Sequence, residues 1–138
     1  QISLTIKFGK IFAKLIDKTE NYFIIFEDDI ILNYNFNTKF ANFFEQTPTD
    51  WDVIYFGQCA GLDSRTIEKK QHPASRGGAA TLFKKKTIID LSETWFPFNL
   101  ISDWELAYQH YLHSHNVYWW PSLIKQGSET KLFNSTLR

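Results

Sequence analysis

The segment Tyr22-Phe23-Ile24-Ile25-Phe26-Glu27-Asp28-Asp29 sets how the remaining sequence is read. Its first five residues form a short, continuous apolar run with polar neighbours, which predicts a strand covered on both faces. Three successive carboxylates then follow without a spacer. Such groups repel one another and gain little from burial unless a cation or backbone N–H groups compensate them. If the extended geometry persists past Phe26, Glu27 and Asp29 project to one side and Asp28 to the other. Two carboxylates on one face suit a hard divalent cation, Mn2+ or Mg2+, which keeps open positions for water and phosphate oxygens. The bland alternative is a solvated turn in which Asp28 or Asp29 makes local hydrogen bonds. The position directly after a buried strand favours the metal.

On the N-terminal side, Leu4, Phe8, Ile11, Phe12, Leu15 and Ile16 recur at helical spacing up to about Asp17, with lysines on the wetter faces. On the C-terminal side, Phe36, Phe40, Phe43 and Phe44 predict a second helix, capped by Asn37 or Thr38 and followed by Pro48. Asp52 to Phe56 reads as a buried strand stopped by Gly57, and residues 58–75 as a long polar loop. A small-residue strand, Ala79 to Phe83, precedes a short helix over Lys86 to Glu93. Ser102 and Glu105 have capping-box spacing at the start of another helix, and Val117 to Trp120 forms a last strand before Pro121. Strands alternating with helices predict an α/β domain with a largely parallel sheet, in which ligands sit beyond the carboxyl ends of the strands. The acidic triplet lies at such an end.

Composition narrows the classes of function. The chain has 138 residues, enough for one domain, and its 15 Lys+Arg balance 15 Asp+Glu. A neutral chain does not announce a nucleic-acid partner or a membrane held by a polybasic surface. With 43% hydrophobic and 22% charged residues it has the composition of a folded protein. No apolar run is long enough to span a bilayer, and no N-terminal leader is visible, so the expectation is a soluble, cytoplasmic chain. The lone Cys59 excludes an internal disulfide and fits a reducing compartment. The sequence opens at Gln1 and contains no Met, which suggests a piece of a longer protein. The aromatic share of 17% reads as composition bias plus core packing.

Other residues could carry chemistry. Asp103 and Glu105 fall in the first turn of a helix, where acids favour the helix dipole; a carboxylate there becomes a general base if it points into the metal's cleft. Arg76-Gly77-Gly78, just before a strand, either forms a simple turn or lets backbone approach a ligand. His72, His110, His113 and His115 are set aside, because no acidic or cysteine partner lies near them in sequence. Trp119 and Trp120 end a strand, and core packing is their default role.

The order of these pieces resembles glycosyltransferase family 25, the lipopolysaccharide and procollagen galactosyltransferases. The resemblance rests on Phe23 to Ile30 with its Glu-Asp-Asp, on Asp50-Trp51-Asp52-Val53-Ile54-Tyr55-Phe56-Gly57, and on Gly77 to Phe83. It continues through Ser102-Asp103-Trp104-Glu105-Leu106 and through Val117 to Leu123 with Gln126-Gly127-Ser128. It implies a glycosyltransferase A-type fold and an inverting transfer of a hexose, galactose or glucose, from a UDP-sugar to a glycan or protein acceptor. By position, Glu27, Asp28 and Asp29 are then the Mn2+ or Mg2+ motif, with Asp29 foremost, and Asp103 is the catalytic base. Arg76, Gly77, Gly78, Trp104, Glu105 and Gln126 are implied substrate contacts. Gln126 stands where many such folds place a final His ligand. The chain then corresponds to the C-terminal portion of one such domain, with the N-terminal nucleotide-binding portion missing. The alternative is a non-catalytic relative that binds carbohydrate or a partner protein.

Overall fold

The structure, a computed structural model, describes residues 2–57, 62–71, 77–128 and 130. Cys59, His72 and Arg76 lie outside the described residues, as do both ends, residues 58–61 and 72–75, of the loop expected over residues 58–75. Among the described residues the elements are α1 (Ile2–Leu15), β1 (Tyr22–Phe26), β2 (Ile30–Leu32), α2 (Phe36–Gln46), β3 (Val53–Tyr55), β4 (Glu68–Lys69), β5 (Ala80–Lys84), α3 (Lys85–Thr94), α4 (Ser102–Leu112), β6 (Val117–Trp119) and β7 (Ile124–Gln126). None of these helices is long and apolar enough to cross a membrane.

Five strands form a sheet in the order β1-β5-β3-β6-β4. The fold is mixed α/β, but the sheet corrects the expectation of mainly parallel strands. β1 pairs with β5 antiparallel, β3 pairs with β5 antiparallel, and β4 pairs with β6 antiparallel; only β3 and β6 run parallel. The physical reason is the slot between β1 and β3. These two point the same way, as the alternating pattern implies, but β5 enters between them in the opposite direction. A second correction follows from that order. β1 is an edge strand, and only Ile25 of its five residues is buried, so it is not covered on both faces. Its continuous apolar run reflects partial cover, with Tyr22 packed edge-on to Phe44 of α2 and Phe26 to Phe36.

Side chains alternate across the sheet into two cores. On one face Val53, Tyr55, Phe83 and Val117 meet α1, α3 and α4 through Phe8, Phe12, Ile88, Leu91, Trp95 and Leu106. Phe12 and Trp95 are fully buried with ring centroids 5.1 Å apart in an edge-on arrangement, and the Trp95 indole N–H donates to the Thr5 carbonyl at 2.9 Å. The bond removes the cost of burying that polar group, so the large apolar ring is a net gain. On the other face Ile54, Phe56, Leu82 and Trp120 meet the phenylalanines of α2. Phe40 sets its edge against both Phe56 and Trp120, at 5.6 and 5.2 Å. The high aromatic content thus fills both cores.

The caps differ from expectation. α2 starts after Asn35, without a side-chain cap; the Phe36 N–H donates to the Asn33 carbonyl instead. At α4 the cap residue is Ile101, and Ser102 is the first helical residue, its N–H donating to the Thr5 hydroxyl at 2.6 Å. The expected capping box does not form: the Thr5 hydroxyl of α1 accepts the Ser102 N–H that the Glu105 carboxylate would have accepted.

Candidate carboxylate site and a histidine cluster

The acidic triplet is placed by the β1–β5 ladder. Phe26 lies opposite Ala80, and the Glu27 N–H donates to the Ala79 carbonyl at 3.0 Å, so Glu27 continues the strand by one residue. Because β5 runs antiparallel, its entry at Gly77-Gly78 lies beside the carboxyl end of β1. Gly77 has φ 70°, a left-handed conformation that a side chain would strain. At Gly78 the need is for space: an added Cβ would stand 2.6 Å from Phe8 Cζ and 3.2 Å from Glu27 Oε1. The Gly78 N–H donates to the Asp103 carboxylate. Glu27 from the end of β1 and Asp103 from the first turn of α4 therefore meet at the same glycine.

The short β2–β7 ribbon brings the remaining groups. Its register sets Ile30 opposite Gln126. The Gln126 side-chain amide donates to Glu27 Oε2 at 3.1 Å, and the Ser128 hydroxyl donates to Asp29 Oδ2 at 2.8 Å. The Asp29 carbonyl also accepts the Gly127 N–H. Asp28 points outward and is exposed, while Glu27 and Asp29 are half-buried. Asp28 and Asp29 lie in the turn between β1 and β2, so the extended geometry expected past Phe26 does not persist and the division comes from the turn rather than from strand alternation.

The charges are crowded. The Glu27 carboxyl is pushed up to about 7, first by burial and then by the negative charges of Asp103 and Asp29, against the Gln126 hydrogen bond and with a small contribution from Asp28. Burial also raises Asp103, opposed by the Gly78 N–H. Carboxylates from two parts of the chain, with an amide and a hydroxyl beside them, form an oxygen-rich set that suits a hard divalent cation. Its charge would relieve the repulsion that raises Glu27.

Of the expected substrate contacts, Gly77, Gly78 and Gln126 border this site. Trp104 follows Asp103 and is 72% exposed, open to a ligand. Glu105 must be corrected. It is fully buried, with Oε2 accepting the N–H groups of Asn99 and Leu100 at 3.1 and 2.9 Å and Oε1 accepting the Gln109 amide at 2.8 Å. Its carboxylate fastens the segment leading into α4 and does not face substrate. Two surface clefts, of about 540 Å3 beside His115 and about 790 Å3 beside Arg65, are lined by other residues than Glu27, Asp29 and Asp103.

The histidines set aside in the sequence do have an acidic partner. Asp90 of α3, His113 at the end of α4 and His115 before β6 place one ligand atom each within 4.8 Å of one another, a cluster that could hold a metal ion. His115 Nε2 is 3.0 Å from Asp90 Oδ2. His110 is fully buried, its Nε2 2.7 Å from the Tyr55 hydroxyl and its Nδ1 3.1 Å from His115 Nδ1. Sequence spacing could not reveal the cluster, since Asp90 sits on a different helix and is joined to the histidines only where α3 meets the C-terminal end of α4 and the residues after it.

No family model matches this chain, and no curated protein shows significant similarity to it.

Proposed function

We propose that this chain is a metal-dependent, inverting glycosyltransferase, or part of one, of A-type fold, moving a hexose from a UDP-sugar to a hydroxyl of a glycan or protein acceptor. The observation that carries the reading is the meeting of Glu27 and Asp103 at Gly78, beyond the carboxyl end of β1, with Asp29 near enough for its charge to act on Glu27. Glu27 and Asp29 would hold the cation, Mn2+ or Mg2+, with the Gln126 amide and Ser128 hydroxyl orienting their oxygens. When bound, the cation offsets negative charge on the departing nucleoside diphosphate. Asp103 accepts the proton of the acceptor hydroxyl. Burial raises its proton affinity toward the range in which a general base works at neutral pH, and the Gly78 N–H fixes its direction. Trp104 offers an aromatic face to a sugar ring beside it.

One observation favours the second reading, a non-catalytic carbohydrate-binding domain. Trp104, Tyr108 and Tyr111 lie along one side of α4 and stay exposed, 72%, 40% and 71% respectively. Such a stripe can stack on sugars without any chemistry. The test is incubation of the chain, with and without any upstream segment, with Mn2+ and a panel of UDP-sugars, measuring released UDP. Hexose transfer or donor hydrolysis that Asp29→Ala abolishes supports the enzyme. Glycan binding without UDP release in either form contradicts it. Full transfer by Asp103→Asn removes the base role from Asp103.

A further inference from the structure

On the side of the sheet covered by α1, α3 and α4, the Asp90, His113 and His115 cluster continues inward as a line of hydrogen-bonded groups. We propose that Asp90, His113 and His115 form a Zn2+ site, and that loading it reverses the hydrogen bonds running from His115 through His110 to Tyr55. The donor set selects the ion. Two imidazoles and one carboxylate suit zinc rather than Mg2+ or Ca2+, and with water in the fourth position they complete a tetrahedron. Bonds of about 2.0–2.1 Å place tetrahedral ligand atoms roughly 3.4 Å apart. The Asp90 and His115 atoms already stand 3.0 Å apart, and a side-chain adjustment of half-buried His113 closes the remaining distance.

The surroundings are those of a prepared site. A metal-bound histidine usually has its other nitrogen held by a protein group. His115 Nδ1 is held by His110, and His113 Nε2 lies 2.7 Å from the Thr94 hydroxyl, leaving its Nδ1 for the ion. Lys86 contacts Asp90 Oδ2 at 3.1 Å, but its side chain is 72% exposed, and a surface pair of that kind yields readily. The half-buried Asp90 and His113 give an ion its way in.

The reversal follows from counting donors and acceptors. Without an ion, His115 Nε2 must carry a proton to donate to the Asp90 carboxylate, so its Nδ1 accepts. His110 then donates from Nδ1, and its Nε2 accepts the Tyr55 hydroxyl proton. An ion on His115 Nε2 moves that ring's proton to Nδ1. His110 Nδ1 must now accept, and His110 Nε2 donates to the Tyr55 oxygen. The two imidazoles keep their places while the proton of each moves to its other nitrogen, and the Tyr55 hydroxyl keeps its proton and turns it away from His110.

The test is calorimetric titration of the chelator-stripped chain with Zn2+ in millimolar Mg2+, which fills oxygen-only sites. The variants Asp90→Asn, His113→Ala and Tyr55→Phe are run beside it, each checked for a native melting transition. The expected result is one Zn2+ per chain, weakened by Asp90→Asn and His113→Ala beyond the roughly 10–100-fold typical of losing an outer partner, and by Tyr55→Phe within that range. In long-range 15N imidazole spectra, His110 should pass from Nδ1–H to Nε2–H on saturation. If Asp90→Asn fails to fold, His113→Ala carries the comparison, because its ring is partly exposed. Absence of Zn2+ binding by the folded chain, affinity unchanged by His113→Ala, or a His110 tautomer that stays fixed at saturation overturns the proposal. None of these outcomes bears on the Glu27 site.

Discussion

Glu27 illustrates how a side chain can be unfavourable for the fold and useful for the site. Its carboxyl has an ordinary value of 4.5 and is pushed up to about 7 in the folded chain. Between those values the folded state holds a proton that the unfolded state has released, so this group's contribution to stability is full below 4.5, falls as pH rises and is lost above about 7. In the presence of a chelator, Glu27→Gln should raise the melting temperature at pH 8 and leave it nearly unchanged at pH 4, as a melting series across pH would show. With Mn2+ present the advantage should disappear, because the cation stabilises the native carboxylate. The position of the triplet at the carboxyl end of β1 was legible in the sequence, but strand alternation does not set its side chains, because Asp28 and Asp29 lie in the turn before β2. The role of Glu105 was not. Its Ser-x-x-Glu spacing named a local partner, whereas the actual partners are the N–H groups of Asn99 and Leu100, reached because the preceding segment folds back over the helix.

Among the elements, α1 shows most directly how packing overrides propensity. Gly9 lies in the middle of this helix, where replacing it with Ala ordinarily gains up to about 1 kcal/mol. Here a Cβ would collide with the rings of Phe96 and Trp95. We expect Gly9→Ala to lower stability, because overpacking a rigid aromatic contact costs typically 1–3 kcal/mol; urea denaturation would measure it. The glycine is where α1 seats on Trp95, next to the Phe12 contact. α2 is held differently. It has no fully buried residue and depends on the edges of its phenylalanines. Phe40→Ala should therefore loosen the whole helix, seen as faster amide exchange over Phe36–Gln46 ahead of the sheet. α1 and α2 were readable from their apolar spacing because each lays a periodic stripe on the sheet, whereas α4 was placed from a capping box that does not form and buries a largely polar face, Glu105, Gln109 and His110 around Leu106. β2 and β7 were not, since three-residue strands of a separate ribbon carry too little pattern to stand out.

For the molecule as a whole, direction was the hidden variable. Apolar runs located β1, β3, β5 and β6 but could not show that β5 enters between β1 and β3 with opposite sense, because an interior antiparallel strand is as apolar as a parallel one. That inversion brings Gly77-Gly78 to the carboxyl end of β1 and, with the α4 first turn above it, brings Asp103 to Glu27. Likewise the histidine cluster depends on α3 meeting the C-terminal end of α4, which no local spacing encodes. The account's central claim is that Glu27 and Asp29 hold a cation beside Asp103, whose negative charge adds to the attraction. It is tested most directly by following Mn2+ binding through the electron paramagnetic resonance signal of the free ion in the wild-type chain and in Asp29→Asn, Asp103→Asn and His113→Ala. The account predicts one ion bound by the wild type, lost in Asp29→Asn, weakened in Asp103→Asn and unchanged in His113→Ala. Binding that survives Asp29→Asn, or that disappears with His113→Ala, would contradict it.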